Sequence, residues 1–156
     1  MDPLALAAWG LPGLFVAAFL AGSVVPLPSE AVLLGLQAGG VAPLPLVLVA
    51  TLGNLLGAAT LYWLGSAVAR GAGGPAGRWL AQRVRRDPAG YERAQARLRR
   101  WGAPLLLLTW LPVVGDAFVV GAGFVGMRPL PFVLFTAAGK LARYATVASA
   151  AVAVAG

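Results

Sequence analysis

Five side chains with chemistry to offer stand in stretches that are otherwise apolar: Glu30, Asn54, Asp116, Lys140 and Arg143. A charge at the centre of a bilayer costs about 2.5–3.5 kcal/mol on insertion scales, so such groups are paired, neutralised by a proton or exposed to a wet cavity. Two acids balance two bases, which lets the four share one polar pocket. Three readings are open. The four charges form structural ion pairs; or Glu30 and Asp116 sit in water at a membrane edge; or the two carboxyls carry protons while Lys140 and Arg143 hold an anion such as a phosphate. Lys140 and Arg143 are spaced i, i+3 and so share a helix face. Asn54 either donates and accepts hydrogen bonds in such a pocket or ties helices together.

Other chemistry is excluded by composition. The chain has no cysteine and no histidine, which removes disulfides, thiol and imidazole catalysis, and Cys- or His-based metal sites. Gly71-Ala72-Gly73-Gly74 is glycine-rich, but no strand precedes it and no phosphate-binding lysine follows, so it reads as a flexible link. No catalytic set, cofactor or metal is expected.

The elements that carry the five residues belong in a membrane. The chain is 60% hydrophobic and 11% charged, against about 25% charged in soluble domains, too little to cover a water-facing surface. About 20 apolar residues span a bilayer as a helix, and the stretches 4–23, 46–69 and 131–155 have that length. An acidic Asp2 with no nearby Lys or Arg argues against reading the first as a signal peptide. Residues 24–42 and 104–127 are also apolar but are broken by proline and glycine. Nine of the twelve basic residues fall in 70–100, opposed by Asp87 and Glu92. Between membrane-grade flanks this marks a cytoplasmic region rather than a nucleic-acid surface. Asp87-Pro88 is a helix start, after which Tyr91, Ala94, Leu98 and Trp101 recur at helical spacing. The region therefore reads as one or two amphipathic helices on the inner leaflet, arginines toward lipid phosphates and Trp and Tyr rings at the interface; an ordinary solvated loop is the alternative.

The two apolar parts repeat each other. Laid over itself at an offset of 86, residues 26–61 match 112–147 at thirteen of 36 positions, where composition alone gives roughly four. The matches include Pro26/Pro112, Gly40/Gly126, Pro43/Pro129 and Gly53/Gly139, and Glu30 lies over Asp116, each four residues after a proline. Pro26, Pro28, Pro112 and Gly115 mark the breaks. Backbone groups freed there need protein or a wet cavity around them, which a re-entrant hairpin provides and a kinked helix provides less fully. The turn at 41–43 is uncharged and that at 127–129 carries Arg128, so the repeats are expected to face opposite ways, with sites near the midplane.

Pro26-Leu27-Pro28-Ser29-Glu30, with Thr51-Leu52-Gly53-Asn54-Leu55-Leu56-Gly57 and Tyr62-Trp63-Leu64-Gly65, resembles the first half of the DedA family, also called the SNARE-associated or VTT-domain superfamily. Trp110-Leu111-Pro112-Val113-Val114-Gly115-Asp116 and Gly139-Lys140-Leu141-Ala142-Arg143-Tyr144 look most like its YqaA-like branch. The resemblance covers roughly 12–148. It implies an inner-membrane protein with two re-entrant hairpins in inverted topology, linked to scrambling of phospholipids or flipping of undecaprenyl phosphate, with proton-motive-force dependence in several members. Glu30 matches the family's acid after the first break. The better-studied branch has an acid where Asn54 stands and arginines flanking the second break, where this chain has Trp110 and Asp116; its positive charge comes later, on Lys140 and Arg143.

The expectation is therefore an all-α polytopic membrane protein of one domain, 1–156: a first repeat over about 24–69, a basic amphipathic linker over about 70–101 on the cytoplasmic side of a bacterial inner membrane, and a second repeat over about 104–156. The expected function is non-enzymatic translocation of a phosphate-bearing lipid, with Glu30 and Asp116 cycling protons and Lys140 and Arg143 holding the phosphate. A proton-coupled transporter of a small solute and a non-transporting membrane organiser are the alternatives. Partners are anionic or phosphate-bearing lipids and protons, not nucleic acid; a homo-oligomer is compatible with the sequence.

Overall fold

The computed structural model of the chain describes residues 7–23, 27–72, 74–111 and 114–155. Every regular element among these is helical: α1 Gly10–Gly22, α2 Ser29–Ala38, α3 Pro43–Ala69, α4 Gly74–Val84, α5 Pro88–Trp101, a 3₁₀ stretch Ala103–Trp110, α6 Val114–Phe124 and α7 Pro129–Ala155. Pro26 and Pro112 lie outside the described residues. Pro28 caps α2, and Gly115 sits in the first turn of α6.

The offset of 86 reappears in the elements. Helices α3 and α7 each have 27 residues and begin at Pro43 and Pro129. Both begin earlier than the apolar runs suggest, because Pro43, Pro45, Pro129 and Pro131 fall in the first turn. There the missing N–H costs nothing, since those donors have no intrahelical partner. The preceding helices end alike. Gly40 N–H donates to Gln37 and Val41 N–H to Leu36; Gly126 donates to Gly123 and Met127 to Ala122, at 3.0–3.1 Å. This is the Schellman closure, which puts one residue in the left-handed region. Gly40 (φ 89°) and Gly126 (φ 67°) occupy it, where a side chain costs roughly 1–2 kcal/mol.

Two compact units divide the chain: residues 1–57 with 140–156, and residues 58–139. In the first, α1 packs against α2. The core is Leu14, Ala17, Ala18, Val32, Leu33, Leu46, Val47, Ala50, Tyr144 and Ala148. A Cβ at Gly53 would meet the Phe15 carbonyl at 2.6 Å, and one at Gly57 would collide with that of Phe19. The missing side chains of Gly53 and Gly57 are thus what let α3 lie directly on the α1 backbone. Gln37 Nε2 of α2 donates to the Ala148 carbonyl of α7 at 3.0 Å.

In the second unit the 3₁₀ stretch packs against α6, and α5 against both. Gly139 lies on the Leu107 carbonyl (2.5 Å to an added Cβ) and Gly65 on that of Val120 (2.7 Å). Gly123 of α6 lies on the Tyr62 carbonyl of α3. Tyr62 stacks on Phe132 at 4.3 Å and donates to the Met127 carbonyl. A helix hairpin is therefore present in each unit, but the first is made by α1 with α2; the described residues of 24–42 carry the ten-residue α2.

The basic linker is also corrected. It forms two helices, and Asp87 caps α5 as expected, accepting from Gly90 N–H at 2.9 Å with Pro88 at the first position. Tyr91, Ala94 and Leu98, however, are buried in protein, together with Leu80 of α4. The apolar stripe packs against α6, whose own apolar face covers it. Trp101 remains 63% exposed. Within the glycine-rich link, Gly71 closes α3 and Gly74 opens α4, both with positive φ.

Among the described residues one helix, α3, is both long and apolar enough to cross a membrane. At 27 residues it measures about 40 Å, beyond the roughly 30 Å hydrocarbon core. Helix α7 has the same length but carries Lys140 and Arg143. Among the described residues the first apolar stretch carries the 13-residue α1.

Candidate functional site

Four of the five singled-out residues meet in the first unit. Helix α2 opens with Ser29 and Glu30, α3 carries Asn54 at its middle, and α7 carries Lys140, Arg143 and Tyr144. Lys140 Nζ donates to Asn54 Oδ1. Asn54 Nδ2 donates to the Tyr144 hydroxyl at 3.0 Å. That hydroxyl is also 2.8 Å from Ser29 Oγ. One step along each chain, Arg143 pairs with Glu30. A continuous polar line therefore runs from Lys140 through Asn54, Tyr144 and Ser29, with the Glu30–Arg143 ion pair beside its end.

Burial grades this line. Lys140 is 5% exposed, Asn54 3%, and Tyr144 and Ser29 not at all. The side chains of Arg143 and Glu30 keep 26% and 23% of their surface. The ion pair is thus the part reachable from outside. Behind it a buried ammonium and a buried amide stand in an otherwise apolar core, an arrangement that costs free energy unless every donor and acceptor finds a partner. Glu30 lies in the first turn of α2, where the helix dipole favours a carboxylate. The Arg143 guanidinium lies 6.0 Å from the Tyr144 ring centre, which favours a cation modestly.

Asp116 belongs to the other unit. It faces Arg83 of α4 at 3.7 Å, the two side chains 34% and 40% exposed. At that exposure such a pair contributes about 0–1 kcal/mol. The sequence offered Arg83 only as part of the basic linker. No group of three or more acids among the described residues is placed to hold a metal.

Tyr144 and Ser29 were not singled out by sequence reasoning, where they stood only within family-like motifs. A signal existed: Tyr144 follows Lys140 by four residues, on the same helix face, and Ser29 adjoins Glu30. The duplication does not extend to this chemistry. The offset of 86 carries Ser29, Arg143 and Tyr144 onto Gly115, Gly57 and Ala58. Glu30 falls on Asp116 of the other unit, whereas Asn54 and Lys140, each other's repeat positions, touch.

Comparison with known proteins places the sequence in a family. A family model for the VTT domain matches residues 25–152. The chain is 37% identical over 146 residues to the inner membrane protein YqaA of Escherichia coli K12, covering 93% of both chains. The protein of the same name from Shigella flexneri matches equally. An uncharacterised protein of Haemophilus influenzae is 37% identical over 141 residues, 84% of this chain and 80% of that one. No solved structure matches the chain.

Proposed function

Since the chain belongs to the VTT-domain (DedA) family, in its YqaA-like branch, we propose that this membrane protein is a bacterial inner-membrane lipid translocase for phosphate-bearing lipids. The observation that carries the reading is the graded polar line in the first unit. A partly exposed Glu30–Arg143 pair fronts a buried Lys140–Asn54–Tyr144–Ser29 chain. A lipid phosphate and the Glu30 carboxylate compete for the same guanidinium. Protonating Glu30 frees Arg143 to take the phosphate bidentately. Deprotonating it recaptures Arg143 and expels the head group. Lys140 behind the pair adds attraction without itself being reached first. Asp116, held by Arg83, is the second proton-carrying group. No bond in the lipid is made or broken, so the activity is transport and not catalysis.

The same reading places the two broken hairpins as re-entrant segments of an inverted repeat, with the basic region cytoplasmic under the positive-inside rule.

The test is protein-dependent movement of labelled undecaprenyl phosphate and of a labelled phospholipid across proteoliposomes, with and without a pH gradient. Glu30→Gln is expected to abolish the response to the gradient. Lys140→Met is expected to slow movement by at least about ten-fold, a loss of ~1.4 kcal/mol of barrier lowering. Movement of neither lipid by well-folded protein overturns the proposal and leaves a small-solute transporter or a membrane organiser.

A further inference from the structure

A second charged feature lies away from the Lys140 line, in the other unit. A cleft of about 300 Å³ runs between α5 and α6, lined by Asp87, Gly90, Arg93, Ala94, Arg97 and Phe118 among others. We infer that this cleft binds a zwitterionic phosphate head group, one that carries an ammonium beside its phosphate.

The lining argues for that class. Arg93 and Arg97 are spaced i, i+4, so their stems rise from one helix face about 5–6 Å apart, a separation at which two guanidinium forks can share one phosphate. Arg93 Nε donates to the Ala89 carbonyl at 3.0 Å, which turns the side chain back along α5. That bond uses one of its five donors. The floor is closed and apolar: Ala94 is 5% and Phe118 2% exposed, so the cations stand over a low-dielectric base where their field is screened less than on an open helix. Small residues, Gly90 and Ala94, keep the wall of α5 low. Asp87 would repel a bare anion. It already accepts from Gly90 N–H, but a carboxylate has further acceptor sites, and an ammonium next to the phosphate meets them. The cationic and anionic ends of the cleft thus match the two ends of a phosphoethanolamine group. Arg86 and Arg99, equally exposed on these segments, do not line the cleft and serve as controls.

The chemistry is the same whether phosphoethanolamine comes free in solution or at the head of a lipid, and the experiment separates the two. Calorimetric titration of the full chain in detergent would use water-soluble phosphoethanolamine, short-chain phosphatidylethanolamine and short-chain phosphatidic acid. Arg93→Gln/Arg97→Gln is expected to weaken binding of the favoured ligand at least ten-fold. Arg86→Gln/Arg99→Gln, with the same change in net charge, is expected to leave it unchanged. Asp87→Asn keeps the helix cap, because Asn caps as well as Asp, and is expected to erase the preference for phosphatidylethanolamine over phosphatidic acid. Tighter binding of the lipid than of the free group identifies a membrane ligand; equal binding identifies a soluble one. Unchanged binding in the Arg93/Arg97 variant, or a preference that survives Asp87→Asn, overturns the inference. Lipid movement read in parallel keeps this site separate from the translocation proposal, since head-group binding here does not require transport through the Lys140 line.

Discussion

Tyr144 holds the polar line together through one oxygen that meets both Ser29 and Asn54. Tyr144→Phe keeps the ring and removes that oxygen, leaving two buried polar groups short of a partner. Loss of a buried partner costs about 1–3 kcal/mol, so thermal unfolding in detergent should fall by several degrees, at roughly 2–4 °C per kcal/mol for a chain of this size. An unchanged melting temperature would show that the line carries no structural load. Lys140 and Asn54 are likewise expected to couple. A double-mutant cycle of Lys140→Met with Asn54→Leu should return an interaction of about 0.5–3 kcal/mol, and strict additivity would separate them. Glu30, Asp116, Lys140, Arg143 and Asn54 were all visible in the sequence, because a charge or amide in an apolar run is conspicuous. Their partners were not. Asp116 was expected to share a pocket with the bases of α7; the structure pairs it with Arg83, a linker residue indistinguishable in sequence from its eight basic neighbours.

Helix ends and helix contacts are set by glycine and proline, and the two kinds of position respond oppositely to a methyl group. Gly53 lies on the Phe15 carbonyl, while a Cβ at Gly35 meets nothing within 4 Å. Gly53→Ala should therefore cost about 1–3 kcal/mol by overpacking. Gly35→Ala should gain about 0.5–1 kcal/mol by stiffening α2. Equal effects of the two on thermal stability would mean that α1 and α3 are not in backbone contact. The duplication made these elements legible: Gly40 and Gly126 close their helices with the same pair of hydrogen bonds, and paired prolines open the two long helices. The amphipathic stripe of α5 was legible too, through the spacing of Tyr91, Ala94 and Leu98. What it would cover was not, because a bilayer and the side of α6 present the same apolar chemistry to a helix.

As a whole, the molecule is a cysteine-free chain, so introduced cysteine pairs report on its pairing without background. Glu30→Cys/Arg143→Cys and Arg83→Cys/Asp116→Cys are each expected to be joined by a short bismaleimide, read as a shift in gel mobility after cleavage of the intervening chain. Failure of either pair in folded protein would contradict the corresponding ion pair. Residue types and their order along the chain determined the membrane-grade composition, the repeat, the helix ends and the identity of the embedded polar groups, since each is read without knowing which helix lies beside which. Tertiary structure alone decided that Lys140 meets a residue 86 positions away, that Tyr144 meets one 115 away, and that the two ends of each long helix serve different units. The physical reason is that apolar burial is non-directional: it brings helices together but leaves their choice of neighbour to the shape of the small-residue faces and to the few buried polar groups that must be satisfied.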